Sequence, residues 1–405
     1  MVELLALKHS LYRLYHFGLR LAALALPIPE PHVFHGDHAI HNWLHDLADS
    51  ECKRILLVSD PGIISLNLHS PLLNALNKQG VEVVIFSELS ANPSIAQIEQ
   101  GVGAYVQHKC DALLAIGGGS AMDCAKLIGA RVARPQKSLR QMQGLFGVLR
   151  KLPPLYVVPT TAGTGSEVTV AAVVSDTDKH LKFSINDLCL VPKGVLFLPE
   201  LTTGLPPALT ATTGIDALTH AIESYIGVND TRYTREKSEQ AIKMIFAALP
   251  TAFHQPDNLS ARTEMLWAAM YAGQAFTRTS VGYVHAIAHQ LGALYGIGHG
   301  LANALVLRAM LDFYGSRIDV KLTQLAKKVI GNDSTAAQLR QRIQALLEDL
   351  NIPLHIKQLR EQDIPLIASQ ALAEAHPDYP VPCFMNQTDM ESVLHSLLAS
   401  HPNSS

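Results

Sequence analysis

Disulfide chemistry is the first thing this chain has little material for. Its five cysteines (Cys52, Cys110, Cys124, Cys189 and Cys383) are odd in number, scattered and without CxxC spacing. That pattern excludes a disulfide framework and a cysteine zinc site. It fits free thiols in a reducing compartment, so a cytoplasmic location is expected. Charge is scarce as well: Asp, Glu, Lys and Arg make up 17% of the 405 residues, with a formal net charge of −3. No basic stripe runs along the chain, so no nucleic-acid partner is expected. Long apolar runs are missing too. Residues 3–28 are largely apolar, but Lys8, Arg13 and Arg20 interrupt them. The longest clean run, residues 21–28, falls far short of the roughly 20 residues a spanning helix needs, so no integral membrane span is expected. No small-residue cleavage site is evident, so a signal peptide is not expected. There is no internal repeat, and the GxGxxG fingerprint of ordinary dinucleotide folds is absent.

What is present is a chain of two characters. Residues 54–59, 81–86, 112–116 and 155–158 are short apolar runs that read as buried strands, separated by helical segments at 71–79 and 94–108. Strands alternating with helices predict a mostly parallel sheet covered on both faces. Two further strands are expected at 169–175 and 182–185. From Pro207 onward the periodicity is helical almost throughout. The expected division is an N-terminal helical extension (1–28), a dinucleotide-binding α/β domain (29–199) and an all-α metal-binding domain (200–405). In the extension, Leu4, Leu7, Leu11, Leu14 and Leu21 form a helical stripe. That stripe predicts packing on the body of the protein or on a partner subunit, with a weak membrane-surface anchor as the alternative. The tail 401–405 is expected to fray.

Two loops suggest a nucleotide. A predicted strand ends in Gly117-Gly118-Gly119-Ser120 and runs into a helix, so the backbone can approach a phosphate at a helix N-terminus. A second strand ends in PTTAGTGSE, which interleaves Thr160, Thr161, Thr164 and Ser166 with glycines. Hydroxyls and exposed amides there suit ribose, phosphate and carboxamide groups. Asp60, at the end of the first strand, would bind an adenosine ribose and repel a 2′-phosphate, which favours NAD over NADP.

Histidines and one carboxylate suggest a metal. Asp216 and His220 stand four residues apart in a helical segment, and His285 and His289 repeat that spacing. Each pair therefore shares a helix face. His299 follows between Gly298 and Gly300. Imidazoles with a carboxylate suit a borderline divalent ion such as Fe(II) or Zn(II). Five candidates compete for about four ligand positions, and His289, one turn beyond His285, is available as an outer proton relay.

The segments IGGGSAMDCAK (116–126), PTTAGTGSEVT (159–169), GIDALTHAIESY (214–225) and VHAIAHQLGALYGIGHGLANAL (284–305) resemble those of the iron-containing, group III alcohol dehydrogenases, in the same order. The resemblance spans roughly residues 30–395 and implies hydride transfer between a small alcohol, or its aldehyde or ketone, and NAD, with homodimerisation. It implies Asp216, His220, His285 and His299 as metal ligands and His289 as the family's non-ligating histidine. It places Asp60, Asn92, Gly118, Gly119, Ser120, Asp123, Thr160, Thr161, Thr169 and Lys182 in or near the cofactor site, and Phe276 in the substrate pocket. Dehydroquinate synthases and glycerol dehydrogenases share the implied fold. The apolar, small-residue run after His285 argues against a phosphate-bearing substrate of the former. A non-catalytic binding protein is a weaker reading, because nothing obvious is missing from the catalytic set. Three positions depart from the family pattern: Leu198 where Asp is usual before Pro, Gly298 where Pro is frequent, and Arg278 in place of a small or amide residue. On a continuous helix Arg278 would share a face with His285 and bias the pocket toward acidic or strongly polar substrates.

Overall fold

The computed structural model describes residues 2–50, 52–179 and 181–399, with side chains from Leu7 onward. The Leu4 side chain and the tail 401–405 lie outside the described residues. The chain divides into two units, residues 28–204 and residues 1–27 together with 205–405. Helix α1 (Val2–Ala25) thus belongs with the C-terminal residues, although it comes first in the chain.

The unit 28–204 contains, in order, β1 (His32–Phe34), α2 (Ala39–Ala48), β2 (Arg54–Ser59), α3 (Pro61–Ser65), α4 (Ser70–Lys78), β3 (Glu82–Phe86), α5 (Ile95–Gln107), β4 (Ala112–Gly117), α6 (Gly119–Ala133), α7 (Leu139–Met142), β5 (Gly144–Leu145), β6 (Leu155–Pro159), β7 (Ala171–Asp176), β8 (Leu181–Asn186) and β9 (Gly194–Leu196). Six strands form one parallel sheet in the order β1-β9-β6-β4-β2-β3. The continuous apolar runs of β2, β4 and β6 follow from burial on both faces. Ile55, Leu57, Leu114, Ile116, Tyr156 and Val158 pack with Trp43 of α2 and Leu72 and Leu76 of α4. The alternate set Leu56, Val58, Leu113, Ala115 and Val157 is equally buried. The chain leaves β2 toward β3 on one side and returns to β4 on the other. That reversal opens a crevice at the carboxyl ends of β2 and β4, where open α/β sheets take their ligands. A small sheet, β5-β8-β7, completes the unit.

The other unit continues with α8 (Pro207–Ile226), α9 (Arg232–His254), α10 (Leu259–Thr279), α11 (Tyr283–Tyr295), α12 (His299–Tyr314), α13 (Asp319–Val329), α14 (Ala336–Asp349), α15 (Ile364–Ala375) and α16 (Gln387–Ser396). Helix α8 is buried all round from Gly214 to Ile226, as a central helix must be. It packs against α9, α10 and α12, while α11 lies between α12 and α15.

Helix α1 packs on the body, one of its two expected destinations, but not through its leucines. Leu7, Leu11, Leu14 and Leu21 do not pack on this body, and each is at least 50% exposed. The helix docks through the opposite stripe. Arg13 donates from Nη1 to Val381 O (2.7 Å) and from Nη2 to Pro382 O (2.9 Å). Its guanidinium lies 4.3 Å from the centre of the Phe384 ring, and His9 stacks on the same ring at 4.4 Å. Backbone carbonyls that need donors and an aromatic face select the basic stripe over the leucines. Among the described residues, no helix is long and apolar enough to cross a membrane.

Candidate active site

Asp216 and His220 stand one turn apart on buried α8, His285 opens α11, and His299 is the first residue of α12, with Gly298 at its cap. One ligand atom from each of these four residues lies within 4.8 Å of all the others. Asp216 Oδ1 is 3.5 Å from His299 Nε2 and 3.8 Å from His285 Nε2, too long for good hydrogen bonds. Four donors each about 2.1 Å from one centre stand about 3.4 Å apart, so the spacing suits a shared divalent ion. His285 Nε2 supplies the sharper test. It is a buried nitrogen with no hydrogen-bond partner, and it faces the donor atoms of the other three residues. A metal bond is the interaction such an atom lacks, and the residues fit the ion.

The other ring nitrogen explains why Nε2 faces the cluster. His285 Nδ1 lies 2.6 Å from Glu223 Oε2, a carboxylate that also accepts from Gly282 N (2.9 Å) and Val284 N (2.8 Å). A histidine ligand held this way has its tautomer and ring plane fixed. Burial pushes the Glu223 carboxyl well above the usual range, against the pull of these N–H donors, and pushes the His285 ring well below. A neighbouring divalent charge favours the ionised carboxylate. Gly282 is required at this contact, because a Cβ there would lie 2.6 Å from Glu223 Oε1. Asn303, one turn after His299, donates from Nδ2 to Asp216 Oδ1 (2.7 Å) and orients that carboxylate. The His220 ring is sandwiched between Phe276 (4.1 Å) and His285 (4.5 Å). His289 lies just outside the four, its ring stacked on His299 at 5.3 Å, with Nδ1 2.6 Å from Glu374 Oε1.

The nucleotide-type residues all lie in the unit 28–204, and the structure sorts them. Asp60, Gly118, Gly119, Thr160 and Thr161 gather at the crevice between β2, β4 and β6. Asp60 Oδ1 caps α3 by accepting from Ile63 N (3.0 Å). The two glycine loops touch: a Cβ on Gly118 would meet Thr161 Oγ1 at 3.2 Å, and one on Gly119 would meet Thr164 Cγ2 at 2.9 Å. Only glycine leaves this cradle open over the N-terminus of α6. A second group sits beside it, where Lys182 Nζ donates to Asn92 Oδ1 (2.8 Å) and Ser120 Oγ donates to Ala91 O. Asp123 and Thr169 serve the frame. Asp123 accepts from Ser166 Oγ (2.6 Å) and Val173 N (3.0 Å), while Thr169 receives the fully buried Lys126 ammonium at Oγ1 (3.0 Å) and O (2.9 Å). Burial pushes Lys126 down to about 8.

Two of the departures are resolved by position. Arg278 shares no helix with His285, because α10 ends at Thr279, Ser280 takes a positive φ of 68° and α11 begins at Tyr283. Its guanidinium stacks on Tyr233 at 4.3 Å and donates to Gln274 O (3.1 Å). Leu198 is buried in the apolar core of the α/β unit. Sequence reasoning missed Glu223, Asn303 and Glu374. The first two carried a signal: Glu223 is three residues past His220, and Asn303 is four past His299. Glu374 carried none, being 85 residues from the histidine it holds.

Comparison with known proteins agrees with this geometry. Residues 30–199 match the family model "Iron-containing alcohol dehydrogenase", and residues 210–398 match "Fe-containing alcohol dehydrogenase family, C-terminal". The chain is 36% identical to 1,3-propanediol dehydrogenase of Klebsiella pneumoniae over 80% of its length and 86% of that protein's. It is 32% identical to alcohol dehydrogenase 4 of Saccharomyces cerevisiae over 87% of its length and 93% of that protein's. The solved structure of an alcohol dehydrogenase from Oenococcus oeni superposes with a TM-score of 0.87 at 31% identity, covering 92% of this chain and all of the other. With both family models matched in sequence order and the aspartate–histidine cluster in place, the chain belongs to the iron-containing alcohol dehydrogenase family.

Proposed function

We propose that this protein is an NAD-linked, metal-dependent oxidoreductase that interconverts small alcohols and their aldehydes or ketones. The observation that carries the reading is the cluster Asp216, His220, His285 and His299, with the buried, partnerless Nε2 of His285 at its centre. These four residues would hold the ion, Fe(II) or in its place Zn(II). When bound, the ion supplies Lewis-acid polarisation of the substrate oxygen and the nicotinamide exchanges the hydride.

The protein's own groups do the rest. Glu223 fixes the His285 ring, and Asn303 fixes the Asp216 carboxylate. Phe276 braces His220 and supplies an apolar wall for the substrate carbon chain. Oxidation releases the hydroxyl proton, and His289, on the exposed side of the cluster, carries it to solvent. In the α/β unit, the Gly118–Gly119 cradle and Thr160–Thr161 take the dinucleotide phosphates and carboxamide, and Lys182 with Asn92 flank them. Asp60 takes the adenosine ribose and by its charge selects NAD. The protein acts in the cytoplasm as a homodimer. The test is NADH formation with a panel of primary alcohols, diols and hydroxy acids, run in reverse with the aldehydes. Turnover of short neutral alcohols or diols is the expected result, and no turnover of any member by iron-loaded protein would overturn the reading.

A further inference from the structure

Helix α1 and the metal cluster are linked by a chain of contacts through one carboxylate. Glu374, at the end of α15, is the meeting point of three donors. His289 Nδ1 lies 2.6 Å from its Oε1, Tyr379 Oη donates to the same oxygen (2.8 Å), and Gln290 Nε2 donates to Oε2 (2.8 Å). A carboxylate is the one side chain that only accepts, so three converging donors fix which proton His289 carries. The proton sits on Nδ1, and Nε2 is left as the proton-accepting atom of a ring stacked on His299.

Tyr379 is held in turn by α1. It lies in the segment after α15, and α1 grips that segment on both sides of it. Before Tyr379, His16 Nε2 lies 2.5 Å from Pro377 O and Tyr15 Oη donates to Asp378 Oδ1 (3.0 Å). After it, Arg13 donates to the carbonyls of Val381 and Pro382, and His9 and Arg13 both cover Phe384. His9, Arg13 and His16 fall at i, i+4 and i+7, so one helix stripe makes most of the clamp, with Tyr15 beside it.

We propose that α1 is a positioning element for proton transfer: it holds the 377–384 segment so that Tyr379 and Glu374 keep His289 in the tautomer and orientation its relay role needs. This rests on the relay reading of His289, and α1 and Tyr379 act only through that ring. Tyr379, Glu374 and Arg13 are positioning residues, since none of them touches substrate.

The test uses the full chain loaded with iron, with Y379F, R13A, R13K and H289Q variants and the Y379F/H289Q double variant. Two readouts are taken beside iron content and thermal stability: the kcat against KM split for a good alcohol substrate, and the ring-nitrogen NMR shifts of His289 in 15N-histidine protein. A positioned proton carrier contributes roughly 10²–10⁴-fold, so Y379F and R13A should each lower kcat by about tenfold, with KM and iron content unchanged. The His289 signals should move from the Nδ1–H pattern toward an average of the two tautomers. R13K, which keeps one carbonyl contact, should restore part of kcat, and Y379F should add nothing in the H289Q background. H289Q turning over at the wild-type rate would remove the relay itself. H289Q impaired, with Y379F and R13A at wild-type kcat and wild-type ring shifts, would remove the role of α1 alone.

Discussion

Replacing Glu223 by glutamine tests how much of the metal site lies outside its four ligands. The carboxylate accepts three hydrogen bonds, from Gly282 N and His285 Nδ1 on Oε2 and from Val284 N on Oε1, and Glu223 is buried. Glutamine is nearly the same size but has a single acceptor oxygen. With that oxygen in the Oε2 position it keeps two donors and turns its own NH2 against Val284 N–H; the opposite placement abandons two donors. The better placement leaves a buried donor unpaired, which costs about 1–3 kcal/mol. Converted at about 1.4 kcal/mol per tenfold, the cost to the site is about 5- to 150-fold, in line with the 10–100-fold typical of groups that orient a metal-bound histidine. The assay is iron affinity by chelator competition, with apo-protein stability measured in parallel. E223Q should bind iron about 10–100-fold more weakly while all four ligands remain. Unchanged affinity would refute the claim that Glu223 sets the His285 donor.

Three further outcomes follow from the same geometry. Burial, with His9, Lys8 and His16 nearby, holds the His376 ring down to about 4, and its Nε2 lies 2.6 Å from Tyr283 Oη. The unfolded chain binds that proton below about 6.5 and the folded one does not, so this stability is present above pH 6.5 and is lost as pH falls toward 4. Denaturation midpoints across that window should drop more steeply in the wild type than in H376Q. Because the leucine face of α1 is exposed, L11S and L14S should change unfolding free energy by no more than about 0.5 kcal/mol, whereas R13A should destabilise measurably by calorimetry. D60N keeps the cap on α3 but loses the charge, so its ratio of NADPH to NADH activity should rise with little change in melting temperature.

How far the sequence could be read depended on whether the information was local. The parallel sheet was legible because β2, β4 and β6 are unbroken apolar runs ended by turn residues, and the helical unit because its periodicity is sustained. The i, i+4 pairs Asp216–His220 and His285–His289 were legible for the same reason: helix spacing alone puts each pair on one face. Which histidine stands outside the cluster was only partly local: spacing offered His289, one turn beyond His285, as the outer candidate but not its partner. His289 is turned to Glu374 by the packing of α11 on α15, and no pattern in residues 282–303 encodes that. Arg278 misled for the mirror reason, since the counting assumed one helix where Ser280 breaks the chain into two. The α1 stripe left the docking face open because leucine spacing reports a face and not its destination. The equal and opposite stripe of His9, Arg13 and His16 was present in the same residues, but its partners are carbonyls about 370 positions away. Periodicity finds faces, and only tertiary packing decides which face is covered.

The central claim is that Asp216, His220, His285 and His299 hold one ion on which turnover depends. The most direct measurement is metal content and NADH-forming activity on the same samples of wild type and H285A, before and after chelation and reloading with Fe(II). The account predicts one ion per wild-type chain, lost with activity on chelation and recovered with it on reloading, and neither ion nor activity in H285A. Full turnover by ion-free wild type, or one tightly held ion and wild-type turnover in H285A, would contradict it.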